Sequence, residues 1–214
     1  MLLASFALGF GGSFLEQRLV PSSPVAFLHE SSPYLNLPRG FGLVTFVLSM
    51  TYFWMVFYGF AVVGRARSKY RTLAVKDGEK DAEVQYSFPN LYVTTSGSSP
   101  HATAFNCVQR SHQQIMETLP GYLMIAMIAG VQFPVATTIL CSLWLYSRMV
   151  WAEGYRTGNA ANRYSHPFSR FFWQAMNALW VMALLSSVNL VVGKDFFWKL
   201  LQRLAVRNPK ARVA

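Results

Sequence analysis

The sequence predicts an all-α integral-membrane protein, a bundle of four transmembrane helices, on three observations. The first is composition: 53% of the 214 residues are hydrophobic and mean hydropathy is positive, within the size of one domain. The second is a set of long apolar runs near 41–64, 103–131, 135–155 and 168–192, each long enough to cross a hydrocarbon layer of about 30 Å. The third is charge placement. The formal net charge is +10, yet the basic residues flank the apolar runs and form no patch on a soluble module. Anionic lipid or an anionic substrate therefore fits, and nucleic acid is set aside as a partner.

Residues 1–40 read as an N-terminal arm outside the bundle. Their apolar opening, 1–14, is too short to span and lacks the basic leader of a secretory signal. Pro21, Pro24, Pro33 and Pro38 then interrupt any regular element. The membrane domain, 41–192, opens with a span that ends on Arg65, Arg67, Lys69 and Arg71, an anchor suited to lipid headgroups. A mixed-charge stretch, 72–84, reads as solvated surface, and His101 stands alone in a turn-rich connector. Pro120 is expected to kink the second span. Gln132-Phe133-Pro134 is a minimal turn, which makes the second and third spans antiparallel neighbours. Gln174 and Asn177 interrupt the fourth span at a spacing suited to bonds across helices. Residues 193–214 read as a basic amphipathic helix or tail, with Phe196, Phe197, Leu200, Leu201 and Leu204 on one face. Cys107 and Cys141 both fall in spans and imply no disulfide framework. No metal is expected, because no cysteine or histidine set has ligand spacing.

The run Phe105 to Pro120, FNCVQRSHQQIMETLP, carries the chemistry. Asn106, Arg110, Gln114 and Glu117 are spaced four, four and three apart, so they share one helical face, bordered by Gln113. Ionisable residues in a membrane helix are costly unless they face the bundle interior or a polar cavity. Arg110 and Glu117 either satisfy each other as helix glue or receive a small zwitterion, the arginine taking a carboxylate and the glutamate an ammonium. His112 lies about 200° from Arg110, off the stripe, where it could instead face a neighbouring subunit.

On Phe105-Asn106-Cys107, Gln109-Arg110, His112-Gln113, Glu117 and Pro120, the run resembles the second helix of the membrane-associated proteins in eicosanoid and glutathione metabolism (the MAPEG family). It looks most like the type-three microsomal glutathione transferases, with Gln114 where the family usually has Asn. The resemblance covers about 41–192. It implies a homotrimer with sites between subunits, glutathione as co-substrate, a lipophilic second substrate reached through the bilayer, and an endoplasmic reticulum or mitochondrial membrane with the site on the cytosolic side. It also implies site residues. Arg67 and Arg110 would hold carboxylates and Glu117 the ammonium, with hydrogen bonds from Gln114 and Tyr155, the second residue of a Gly154-Tyr155 pair. The catalytic candidate is Arg163, beside the glutathione sulfur. Counting from Gly154, the position used by the leukotriene-synthesising members falls on Asn162, one residue earlier.

Glutathione transfer to lipophilic electrophiles, or reduction of lipid hydroperoxides through an arginine-stabilised thiolate, is the function this resemblance implies. The alternative is a non-catalytic subunit of a larger membrane assembly, such as a respiratory or ATP synthase complex, built on the same scaffold. Gln114, the offset of Arg163 and the two extended termini point that way.

Overall fold

A computed structural model describes residues 2–94 and 99–193. Among them every regular element is helical, and one isolated bridge joins Ser31 to Pro38. Four helical segments are long and apolar enough to cross a membrane: Phe41–Lys76, Pro100–Gln132, Pro134–Tyr155 and Pro167–Val192. The expected four-helix membrane bundle is the fold. The amphipathic helix anticipated within 193–214 lies outside the described residues.

The N-terminal segment departs from expectation. Instead of an arm outside the bundle, Leu2–Leu19 forms a helix, α1, packed along the last membrane helix. Small residues allow this approach. A Cβ on Gly9 would sit 2.8 Å from the Val181 Cβ and 2.9 Å from the Ala178 carbonyl oxygen, so only glycine fits there. At its end the buried Glu16 carboxylate accepts the Val135 and Ala136 backbone N–H groups, each at 2.8 Å. His29 Nε2 lies 2.9 Å from Glu16 Oε1. Periodicity could not announce this docking, because the two backbone N–H groups that Glu16 satisfies are more than a hundred positions away.

The first span is one continuous stretch in three parts: α2 (Phe41–Phe57), a π-helical segment (Tyr58–Val63) and α3 (Gly64–Lys76). At 36 residues it is about 54 Å long, so α3 carries the basic cluster beyond the hydrocarbon. The π segment wraps around His112. A Cβ on Gly59 would lie 2.7 Å from His112 Nε2, and that nitrogen is 3.2 Å from the Met55 carbonyl oxygen. The ring stacks near Tyr58, with centroids 6.3 Å apart. His112 is thus used inside its own chain. Its N–H completes a carbonyl in the altered hydrogen-bond register of the π turn.

The stretch 72–84 is more ordered than a solvated loop. It holds the end of α3 and a short helix, α4 (Ala82–Gln85). Ser99 donates to Glu79, and His101 Nε2 lies 2.6 Å from Asp77 Oδ2, so His101 is not alone. Helix α5 (Pro100–Gln132) runs unbroken through Pro120. The single residue Phe133 then connects it to α6 (Pro134–Tyr155), with Pro134 at the first turn, where a missing N–H does no harm. Helix α7 (Phe171–Val192) closes the bundle against α1, α5 and α6. The core is aromatic, with Tyr122 stacked on Trp144 at 4.0 Å. Across helices, Ser186 donates to Ile128 O at 2.9 Å and the Asn189 amide to Gln132 Oε1 at 3.0 Å. The outward faces of α2, the π segment and α7 carry exposed Phe46, Phe53, Phe60 and Leu190, an exterior suited to lipid.

Candidate functional site

The polar stripe of α5 begins with a bracket. The Asn106 amide both donates to Val93 O and accepts from Val93 N, each at 2.9 Å. An amide makes this double contact because it copies a backbone peptide. The bracket fixes the preceding segment so that the Tyr92 hydroxyl reaches Gln113 Oε1 and lies beside Arg110.

Arg110 grips Glu117 with both terminal nitrogens, Nη1 to Oε1 at 2.5 Å and Nη2 to Oε2 at 3.3 Å. Two helical turns separate them, a rise of about 10.5 Å, which an extended arginine bridges. The pair does not face the bundle interior of its own chain: the side chains are 40% and 54% exposed. Depth explains how this is tolerated. Tyr58 OH bonds Ser111 Oγ at 2.9 Å and reaches the Ala152 carbonyl at 3.4 Å, so Ser111 is level with the last turn of α6. Helix α6, with 22 residues, is about 33 Å long and matches the hydrocarbon. Arg110 therefore stands at the membrane boundary, and Glu117 lies two turns deeper.

Gln114 turns inward from the same stripe. Its Oε1 accepts from Arg148 Nη1 at 2.8 Å, and Arg148 Nη2 donates to Thr118 Oγ1 at 2.8 Å. Arg148 is fully buried. Its guanidinium carbon lies 3.8 Å from the Phe172 ring centroid and 5.1 Å and 5.8 Å from those of Trp144 and Trp151.

At the end of α6 the chain folds back on itself. A Cβ on Gly154 would lie 2.3 Å from the Asn162 carbonyl oxygen, and Gly158 takes φ +87°. Both glycines are required by the turn. The Asn162 amide is engaged by Thr157 Oγ1 at 3.0 Å. The Arg163 guanidinium lies 5.7 Å over the Tyr155 ring and donates to Ala160 O at 3.0 Å. Tyr155 stacks on Trp151, with centroids 5.0 Å apart, and Cys107 Sγ is 3.5 Å from Gly158 O. The loop thus rests on α5 one turn before Arg110.

Arg67 stands apart. It is buried between the Phe88 and Phe105 rings, 4.4 Å and 4.7 Å from their centroids, and donates to Tyr86 O at 3.1 Å. With Arg71, Ser68 and Ser87 it lines an open cleft of about 270 Å³. Within one chain the six expected site residues therefore form separate groups: Arg110 with Glu117, Tyr155 with Arg163, and Arg67 apart from both, while Gln114 pairs with Arg148. Tyr92 and Arg148 are the neighbours that the sequence left without a role. The signal for Arg148 was available, since an arginine inside an apolar span with no acidic residue one turn away needs partners on other helices.

A family model described as the MAPEG family matches residues 42–185. No solved structure matches the chain.

Proposed function

The chain belongs to the MAPEG family, and from that premise we propose that it is a membrane-bound glutathione transferase or peroxidase acting on lipophilic electrophiles or lipid hydroperoxides. The observation that carries the reading is the outward ion pair. Glutathione brings two carboxylates, one ammonium and one thiol. Its ammonium takes Glu117 and a carboxylate takes Arg110, so one ion pair is exchanged for two, and neither protein charge is left unpartnered. The Tyr92 hydroxyl beside Arg110 adds a hydrogen bond.

The geometry supports a homotrimer, because a half-exposed ion pair reaching two turns into a membrane needs covering by another chain. A neighbouring copy would bring its own Arg67 or Tyr155–Arg163 pair to the face that Arg110 and Glu117 present. Arg163, over Tyr155, would hold the sulfur as a thiolate, the nucleophilic form. In transfer, the C–S bond forms as the leaving group departs with its electron pair. In peroxidase action, two glutathiones become a disulfide while a hydroperoxide is reduced to an alcohol and water. The fatty co-substrate arrives through the bilayer of the endoplasmic reticulum or a mitochondrial membrane.

The second reading is a non-catalytic subunit of a larger membrane complex. It is favoured by Arg110 and Glu117 already satisfying each other. Ultraviolet difference absorption of the detergent-solubilised protein, titrated with glutathione, separates the two. The enzyme gives a saturable thiolate signal that disappears in Arg163→Ala and needs far more glutathione in Glu117→Ala. Binding without a thiolate signal, or no binding by a folded protein, favours the subunit.

A further inference from the structure

We infer that Arg148 is a positioning residue: it locks the Gln114 amide so that the site presents a hydrogen-bond donor there, suited to a carboxylate or carbonyl oxygen of the ligand and unsuited to an ammonium. The identity of that ligand rests on the glutathione reading above.

A guanidinium has five N–H donors and no acceptor, so any polar atom facing it must be an acceptor. Gln114 meets this demand with Oε1 at 2.8 Å. Its amide nitrogen is then left free of Arg148, on a residue that stands in the stripe between Arg110, four residues earlier, and Glu117, three residues later. Thr118 meets the same demand. Its hydroxyl returns its proton to the backbone, to Gln114 O at 3.0 Å or Ile115 O at 3.1 Å, which leaves its lone pairs for Arg148 Nη2. The remaining surroundings are aromatic faces, the nearest being Phe172, whose ring centroid lies 3.8 Å from the guanidinium carbon.

Helix glue alone does not explain this arrangement. No carboxylate pairs with Arg148 among the described residues, and its Nε is buried without an acceptor. A buried charge so incompletely partnered is an expensive way to join helices, and apolar residues would join them better. What the charge does, and an apolar residue would not, is fix the amide and polarise it, which strengthens its N–H groups as donors. The same guanidinium also lies over Trp151, whose other neighbour is Tyr155. Arg148 thus backs both the stripe and the tyrosine under Arg163.

Two kinds of variant test this. Gln114→Glu keeps an oxygen for Arg148 but replaces the outward NH₂ with a second oxygen. It should fold with an unchanged or raised Tm and lose glutathione affinity by about 10- to 100-fold, the range for a lost hydrogen bond to a charged group. Arg148→Met frees the amide to turn. It should raise KM for glutathione several-fold with kcat changed less, a split that general destabilisation would not produce. Wild-type affinity in folded Gln114→Glu overturns the inference. A ligand-free measurement separates this from failure of the glutathione reading: a double-mutant cycle in Tm with Arg148→Met and Gln114→Leu. Coupling without glutathione binding in the wild type rejects glutathione as the ligand and retains Arg148 as the partner that orients Gln114. Additive Tm changes overturn the positioning role.

Discussion

Arg110 and Glu117 were visible in the sequence because a four, four, three spacing puts polar side chains on one helical face whatever the rest of the chain does. Their mutual bond followed from the same spacing. That Asn106 instead holds Val93, and so positions Tyr92 beside Arg110, was not legible, because the loop that returns to α5 has no period. Gly154 gives the sharpest prediction at this scale. An added methyl would strike the backbone of Asn162 at 2.3 Å, and a backbone atom cannot rotate away as a flexible side chain can. Gly154→Ala should therefore destabilise the protein by about 1–3 kcal/mol, as overpacking does. It should also move Arg163 off Tyr155, so that the thiolate signal falls more than glutathione binding does. Tm and the ultraviolet titration, measured together on this variant, check both parts. An Ala variant with wild-type Tm would mean that the turn is looser than the geometry here.

Among the elements, α1 decides most about how the chain differs from a plain four-helix bundle. It lies along α7 through Gly9 and Gly12 and is fastened at its end by Glu16 on the first N–H groups of α6. A carboxylate suits that place, since a helix N-terminus exposes unsatisfied donors and the positive end of the dipole. Burial nonetheless raises the Glu16 carboxyl above the usual carboxylate range, against the pull of the two amides and His29. Burial therefore penalises the charge, while the oxygens are what the two amides need. Glu16→Ala, which leaves both N–H groups without an acceptor, should lower stability by about 1–3 kcal/mol. It should also speed proteolysis within 1–40. Glu16→Gln, which keeps one acceptor oxygen, should lose less. Limited proteolysis and thermal unfolding of the two variants measure this, and equal losses would show that the negative charge itself holds α1.

For the whole molecule, the outward placement of the Arg110–Glu117 pair makes assembly part of the site under the proposed function. Within one chain, Arg67 and the Tyr155–Arg163 pair share no contact with Arg110 or Glu117 among the described residues. Native mass spectrometry of the detergent-solubilised protein should give three copies, and mixing Glu117→Ala with Arg163→Ala chains should restore part of the thiolate signal at the shared interface. A monomer that binds glutathione would refute the shared site. The membrane class, the four spans, the minimal turn before α6 and the stripe on α5 were all written in the sequence. Each of these is written locally, in runs of apolar residues, helical spacing or proline placement, and the bilayer enforces it by leaving no other way to satisfy the backbone. That α1 joins the bundle, that His112 serves the π turn of its own chain, and that Gln114 is held by Arg148 depended on the packed fold. Those pairings join residues tens to more than a hundred positions apart, and side-chain chemistry states what each group needs without stating which distant group will supply it.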